Sequence, residues 1–222
     1  MLLKAGFALM LTLVAGSAVA AESYPKSYCN GLGTRSQVGL SLAKLRHKTP
    51  ITSLPLSIEP TTELLQKHET VIIVAKENGF VCIQAIDRRP GYRGSTGWIE
   101  ASHIEMLPTA SYGHEPSWWM GYWRDGASKI LFQMRDHQFW ASGASQWQGR
   151  ADPHFGDFQG HPIRKEGYLR INSGDENPAT CTLEMIAIGS RIAVRDNNGC
   201  GGTNVSFAGV YTRWHPRPVK VQ

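Results

Sequence analysis

Histidine and aspartate side chains are the first candidates for chemistry in this 222-residue chain, which contains eight histidines. Asp152, His154, Asp157 and His161 lie close together in sequence, and their oxygen and nitrogen atoms are of the kinds that can bind a divalent metal. Their spacing matches no metal motif, and a solvated polar loop explains the same segment. We therefore expect no metal and no cofactor. A hydrolase that uses the Asp152–His161 region stays the alternative.

The four cysteines, Cys29, Cys82, Cys181 and Cys200, form a second reactive group. Cys82 with His103 would make a thiol and imidazole pair, but Cys82 lies in the middle of a predicted strand, whereas nucleophilic cysteines occupy accessible, electropositive positions. Zinc sites need close spacing such as C-x2-C, which the chain lacks. The even number favours disulfides in an oxidising compartment. Of the three possible pairings we favour Cys29–Cys82 and Cys181–Cys200, because each bridge then lies within one predicted module.

The segment Gly199-Cys200-Gly201-Gly202 is glycine-rich but lacks the G-K-[ST] sequence and the following helix of a phosphate loop. Asp196, Asn198 and Asn204 have calcium-ligand chemistry, but no glutamate follows at the required spacing. A tight hairpin turn fixed by a disulfide explains the segment better. We therefore expect a structural role.

Tryptophan is the residue type most suited to binding here. Five of the seven tryptophans fall between positions 118 and 147, and most of them should fill a core. Trp118 and Trp119 are adjacent, so on a strand they would point to opposite faces. We therefore predict that this pair contributes a surface for sugar rings or for a protein partner.

A second predicted binding segment surrounds Pro90-Gly91 and contains Arg88, Arg89, Tyr92 and Arg93. Guanidinium groups beside a tyrosine suit an acidic partner. A solvated loop is the other interpretation of this segment.

These residues belong to a chain that begins like an exported protein. Lys4 precedes a short apolar stretch that ends in Ala18-Val19-Ala20, which is the organisation of a cleavable signal peptide over residues 1–20. The apolar stretch is shorter than the roughly 20 residues of a membrane span. We expect a periplasmic protein without a stable membrane anchor.

The formal net charge of +5 suits anionic envelope polymers, acidic lipids or acidic proteins as partners. Lysine and arginine are spread along the chain without a block, so we expect no nucleic-acid partner. Frequent glycine (23) and proline (12) favour short strands joined by turns, which predicts an all-β fold.

Two β modules are predicted, at residues 28–107 and 118–214, with a linker at 108–117 that is rich in turn formers. In the first module Thr70–Ala75 and Phe80–Ala85 flank Asn78-Gly79, a strong hairpin signal. The segments Leu56-Ser57-Ile58-Glu59-Pro60, Leu64-Leu65, this hairpin and Gly97-Trp98-Ile99 with Ile104 resemble the bacterial SH3-like domain. The resemblance implies a small barrel and a non-catalytic role in binding cell-wall peptides, glycans or a partner protein.

In the second module, regularly spaced short strands predict a small antiparallel β-barrel or sandwich. Gly121-Tyr122-Trp123 and the segment Phe207–Arg213 are similar to the first and last strands of a calycin-type barrel. That resemblance implies that Trp123 plugs one end and Arg213 packs over it. The segment Asp196–Phe207 is also similar to small periplasmic proteins, some associated with lysozyme inhibition.

Together these features predict a non-enzymatic binding protein of the bacterial periplasm. The expected partner is peptidoglycan, another envelope ligand or a periplasmic protein. If the partner is a wall-degrading enzyme, this protein would be its inhibitor or immunity protein. The alternatives are a periplasmic cell-wall hydrolase that uses the Asp152–His161 region, and an assembly factor whose second module only packs on a partner.

Overall fold

The computed structural model describes residues 28–34, 38–52, 63–86, 94–108, 115–149, 152–165, 168–173 and 180–215. Nearly all of its regular structure is antiparallel β-sheet, which confirms the predicted all-β fold class. The signal segment 1–20, the predicted opening strand 56–60, and positions 109–114 of the predicted linker lie outside the described residues. The described part contains no helix that is long and apolar enough to cross a membrane.

The first sheet has five strands in the order β6-β5-β4-β1-β7, and a separate two-stranded ribbon pairs β2 with β3. The strands are β1 (Ser41–Leu45), β2 (Thr49–Pro50), β3 (Leu64–Leu65), β4 (Thr70–Glu77), β5 (Phe80–Ala85), β6 (Thr96–Glu100) and β7 (Ile104–Met106). Single 3-10 turns cover Gly31–Gly33 and Ala101–His103.

The predicted hairpin between β4 and β5 is confirmed. Asn78 and Gly79 both have positive φ angles, 47° and 79°, which a two-residue hairpin turn of the primed type requires. Strand β4 is almost entirely buried between Val71 and Ala75, as its run of β-branched residues predicts.

The second sheet has nine strands in the order β11-β10-β9-β8-β16-β15-β14-β13-β12. A one-turn helix α1 (Pro116–Trp119) precedes β8 (Gly121–Asp125), β9 (Ser128–Arg135), β10 (Gln138–Gln148), β11 (Pro153–Gly160), β12 (Ile163–Lys165), β13 (Tyr168–Ser173), β14 (Cys181–Ile188), β15 (Arg191–Asp196) and β16 (Gly209–Trp214). The sheet curls so that β11 approaches β13: the Gln159 backbone N–H donates to Ser173 Oγ at 3.3 Å.

The segment that contains His154 and Asp157 is strand β11, so the prediction of a polar loop there was wrong. Its inward positions are Gly156, Phe158 and Gly160, which are buried. Two of these buried positions are glycines. The sequence therefore lacks the alternation of apolar and polar residues that marks a strand, although buried and exposed positions do alternate in the structure.

The two sheets pack on each other through a shared apolar cluster. Leu40, Ile72 and Val74 from the first sheet region contact Ile186 and Ala193 of the second in this cluster. Each sheet also has an apolar cluster of its own. The contact surface between the sheets is therefore continuous with their cores.

A buried arginine crosses this contact surface. Arg195 on β15 is 4% exposed, and its guanidinium donates to the carbonyl oxygens of Val74 and Val38. It also forms an ion pair with Glu184 on β14. Because a buried guanidinium needs such partners, these contacts fix how the two sheets meet.

Both predicted disulfides are present. Cys29 pairs with Cys82, and Cys181 pairs with Cys200. Cys82 is therefore not a free thiol, which removes the thiol–imidazole hypothesis with His103. The bridges indicate an oxidising environment and so an exported protein.

Candidate functional site

Trp118 and Trp119 lie in helix α1. The assumption that they lie on a strand, with side chains on opposite faces, was therefore wrong. Trp119 is buried, and its carbonyl oxygen accepts a 2.7 Å hydrogen bond from Trp123 Nε1. Trp118 is half-buried and packs against the same core, with its ring centroid 5.3 Å from that of Trp123. Trp119 is therefore a core residue, while a binding role for Trp118 stays a prediction.

The predicted packing of Arg213 over Trp123 is present in the structure. The Trp123 ring is fully buried, and the Arg213 guanidinium carbon lies 4.4 Å from its centroid. Arg213 also donates to the carbonyl oxygens of Met120 and Trp118. These contacts attach helix α1 to the last strand and close this end of the barrel.

The other predicted binding segment, with Arg88, Arg89, Tyr92 and Arg93, lies outside the described residues. Its role in binding an acidic partner stays a prediction.

The acidic and histidine side chains between Asp152 and His161 are spread along β11. A strand rises about 3.3 Å per residue, so Asp152 and His161 lie roughly 30 Å apart. Asp157 is three positions after His154 on the strand, so the two side chains point to opposite faces. No group of three or more metal-ligating side chains occurs in the part of the chain that the structure describes.

The glycine-rich segment after β15 covers one end of the barrel. The Gly202 backbone N–H donates to Phe155 O at 3.2 Å, and His154 Nδ1 donates to Thr203 O at 2.6 Å. Asp196 is buried and accepts hydrogen bonds from the backbone N–H groups of Asn198 and Phe207. The predicted structural role of this segment is consistent with these contacts.

A shallow groove of about 550 Å³ lies where the ends of the curled sheet meet. It is lined by Trp140 on β10, Gln159 and Gly160 on β11, His161, Ile163 on β12, and Asn172 and Ser173 on β13. The Trp140 ring is half-buried between the His161 ring, 4.6 Å away between centroids, and the Arg135 guanidinium carbon, 5.4 Å from its centroid. These contacts hold the indole at one orientation in the groove wall.

Polar side chains beside this indole provide hydrogen-bonding groups. His161 Nδ1 donates to Phe139 O at 3.2 Å, because a carbonyl oxygen only accepts. The Oδ1 atom of Asn172 accepts from Arg170 Nε at 3.2 Å, which leaves the amide N–H groups of Asn172 as donors. Ile163 adds an apolar surface that is 57% exposed.

A larger cleft of about 1040 Å³ runs between the first sheet and the turn that joins β14 to β15. Its described lining consists of aliphatic, polar and charged side chains such as Leu42, Glu63, Lys67 and Ile188, without a tryptophan, tyrosine or phenylalanine. The smaller groove has the more specific chemistry, because its indole and polar groups face the same space.

Comparison with known proteins found no matching family model, no matching curated protein and no matching solved structure. The resemblances to SH3-like domains and to calycin-type barrels stay predictions.

The groove was missed from sequence because its residues are distant in the chain. Trp140 was noted among the clustered tryptophans and His161 among the acidic and histidine side chains, but Asn172 and Ser173 had no distinguishing pattern. The groove exists only because β11 and β13 meet, and Gly160 permits that approach: a Cβ there would lie 3.0 Å from Asn172 O. A glycine at a strand end was the available signal.

Proposed function

We propose that this protein is a non-enzymatic binding protein of the bacterial periplasm that binds a glycan of the cell wall through the Trp140 groove. The observation that carries the proposal is the half-buried indole beside the carboxamides of Gln159 and Asn172. An indole packs against the C–H face of a sugar ring, and neutral amides hydrogen-bond its hydroxyls without the desolvation cost of a charge.

The dispersed side chains of β11 support a binding role over hydrolysis. General acid–base catalysis needs groups within hydrogen-bonding reach of one reacting atom. Asp152 and His161 lie roughly 30 Å apart along the strand, so they do not meet at one substrate bond. His161 is the one acidic or histidine residue of this segment that lines the groove.

Co-sedimentation with purified insoluble peptidoglycan tests the proposal. We expect the wild-type protein to sediment with the wall and Trp140→Ala to bind about 10-fold more weakly or worse, as for loss of a central aromatic contact. Trp147→Ala is the matched control, because Trp147 is on the same strand, is partly exposed, and lies away from the groove. Equal binding by Trp140→Ala and wild type would exclude the groove, and no sedimentation of the wild type would exclude wall binding.

A protein partner is the second candidate, and an exposed aromatic residue near the start of β11 favours it. Phe155 is 64% exposed. Exposed aromatic side chains are frequent anchors in protein interfaces. If the partner is a wall-degrading enzyme, the protein should inhibit peptidoglycan hydrolysis by lysozyme, and Phe155→Ala should relieve that inhibition. No inhibition at a molar excess of the protein would count against this candidate.

A further inference from the structure

Three chain segments that are separate in sequence meet at one end of the first sheet. The Arg46 backbone N–H donates to His103 O at 2.9 Å, and the His68 backbone N–H donates to Leu45 O at 2.9 Å. Thr49 on β2 pairs with Leu65 on β3, which places the turn at 46–48 beside the turn at 66–69. We call residues 46–48 and 66–69 the basic end.

The basic end concentrates positive charge. Arg46, Lys48 and Lys67 are exposed, and none of the three has an ion-pair partner among the described residues. Arg46 Nε donates to Ile104 O at 2.8 Å, so this guanidinium is held in place by the backbone. Glu69 is the only acidic residue in the two turns.

Three carboxylates around these turns lie beside other groups, and the first of them, Glu63, accepts a hydrogen bond from Ser95 Oγ. Glu100 lies 3.6 Å from His103 Nε2, and Glu105 is opposite Lys44 in the strand register. The His47 and His103 rings meet edge to face at 4.4 Å. Glu69 is exposed in the same turn as Lys67 and offsets one of the three cations, so the described residues of the basic end keep a formal net charge of +2.

We propose that the basic end binds the surface of an anionic phospholipid bilayer. Lysine and arginine near such a surface are attracted to the headgroup phosphates. Leu64, which pairs with Pro50 beside the two turns, is 42% exposed and adds an apolar residue that a bilayer interface can accept. A soluble acidic polymer offers the charges but no apolar region for Leu64. This peripheral contact is independent of glycan binding in the Trp140 groove.

Vesicle co-sedimentation of the full exported protein tests the proposal. The vesicles are phosphatidylcholine with about one third phosphatidylglycerol, and pure phosphatidylcholine vesicles serve as the reference. Each cation contributes about five-fold to partitioning, so Arg46→Gln/Lys48→Gln/Lys67→Gln should bind the anionic vesicles about 100-fold more weakly. The wild-type protein should also lose binding when salt is added, because salt screens exposed charges.

The control variant removes three positive charges from other parts of the surface. Lys76, Arg124 and Lys129 are exposed on other parts of the two sheets, and Lys76→Gln/Arg124→Gln/Lys129→Gln has the same net charge as the test variant. We expect this control to keep most of the binding. An equal loss in both variants, no binding of the wild type to anionic vesicles, or binding insensitive to salt would overturn the proposal. Tighter binding to soluble polyglutamate than to vesicles would replace the bilayer with an acidic polymer and would overturn it too.

Discussion

At the level of single residues, Arg213 makes several distinct contacts at one end of the second sheet. Its guanidinium lies over the Trp123 ring and donates to two carbonyl oxygens of the segment around helix α1. The planar group has enough donors to do both, whereas a lysine ammonium is a point charge with one position. The arginine therefore joins the first and last strands of the second sheet.

Replacing this arginine should destabilise the protein. Arg213→Ala removes a cation–π contact and leaves the carbonyl oxygens of Met120 and Trp118 without their donors, which should cost about 3 kcal/mol of unfolding free energy. Arg213→Lys should cost less, since it keeps the charge. Denaturant unfolding measures both. Arg124→Ala, on the same sheet and exposed, should change the free energy by less than about 0.5 kcal/mol. A similar small change for Arg213→Ala would show that the contact is not stabilising.

At the scale of elements, strand β11 and the glycine-rich segment after β15 depend on a close backbone approach. A Cβ on Gly156 would lie 2.1 Å from Cys200 O and 2.8 Å from Gly201 Cα. Both neighbours are backbone atoms next to a disulfide, so they have little freedom to move. The disulfide between Cys181 and Cys200 thus fixes the segment against which the strand packs.

Gly156→Ala should therefore be costly. We expect a loss of about 3 kcal/mol, because the added methyl group forces β11 and the segment apart. Gly126→Ala is the matched control: that glycine has a φ of 55° but open space around it, so only the backbone strain of about 1 kcal/mol applies. Thermal unfolding of the two variants gives the comparison. Equal losses would mean that the approach of the two backbones is less constrained than the structure indicates.

Much of this architecture could be predicted from local sequence. The β4–β5 hairpin has Asn78-Gly79 at its turn, and the β9–β10 turn at Asp136-His137 also has two positive φ angles, 50° and 62°. Strand β11 was missed because glycine occupies inward positions where an apolar residue would mark the strand. The local sequence around Gly156 does not show that this residue packs against Cys200.

The candidate site was less predictable than the fold. We predicted a binding surface at Trp118 and Trp119 because they are adjacent in sequence. Pro116 instead begins a helical turn, and Trp119 is buried in the core. The groove around Trp140 results from the curl of the whole sheet. A surface assembled from distant strands has no signature in the sequence of any one of them.

At the level of the whole molecule, the two sheets share an apolar cluster and are joined by hydrogen bonds from a buried arginine. Arg195 on β15 reaches the carbonyl oxygens of Val74 and Val38 across the contact surface. Its charge is offset by Glu184. The sheets should therefore unfold together, even though each has an apolar cluster of its own.

Arg195→Ala should weaken this connection strongly. It removes a donor to two carbonyl oxygens and the ion-pair partner of the partly buried Glu184, which should cost about 3–5 kcal/mol. We expect the wild-type protein to unfold in one transition by both circular dichroism and tryptophan fluorescence, and the variant to unfold at lower denaturant or in two steps. Lys129→Ala, which is exposed, should behave as wild type. Two separate transitions in the wild-type protein would contradict the idea of a cooperative pair of sheets.

NMR titration with a soluble peptidoglycan fragment tests whether the Trp140 groove binds a wall glycan. We expect the largest chemical-shift changes at the Trp140 indole N–H and at the side-chain amides of Gln159 and Asn172, with saturation as the fragment is added. Little change should occur at Trp147, which serves as an internal reference. Saturable changes centred on Trp147 or on Phe155, or no changes at all, would show that the Trp140 groove is not the glycan site.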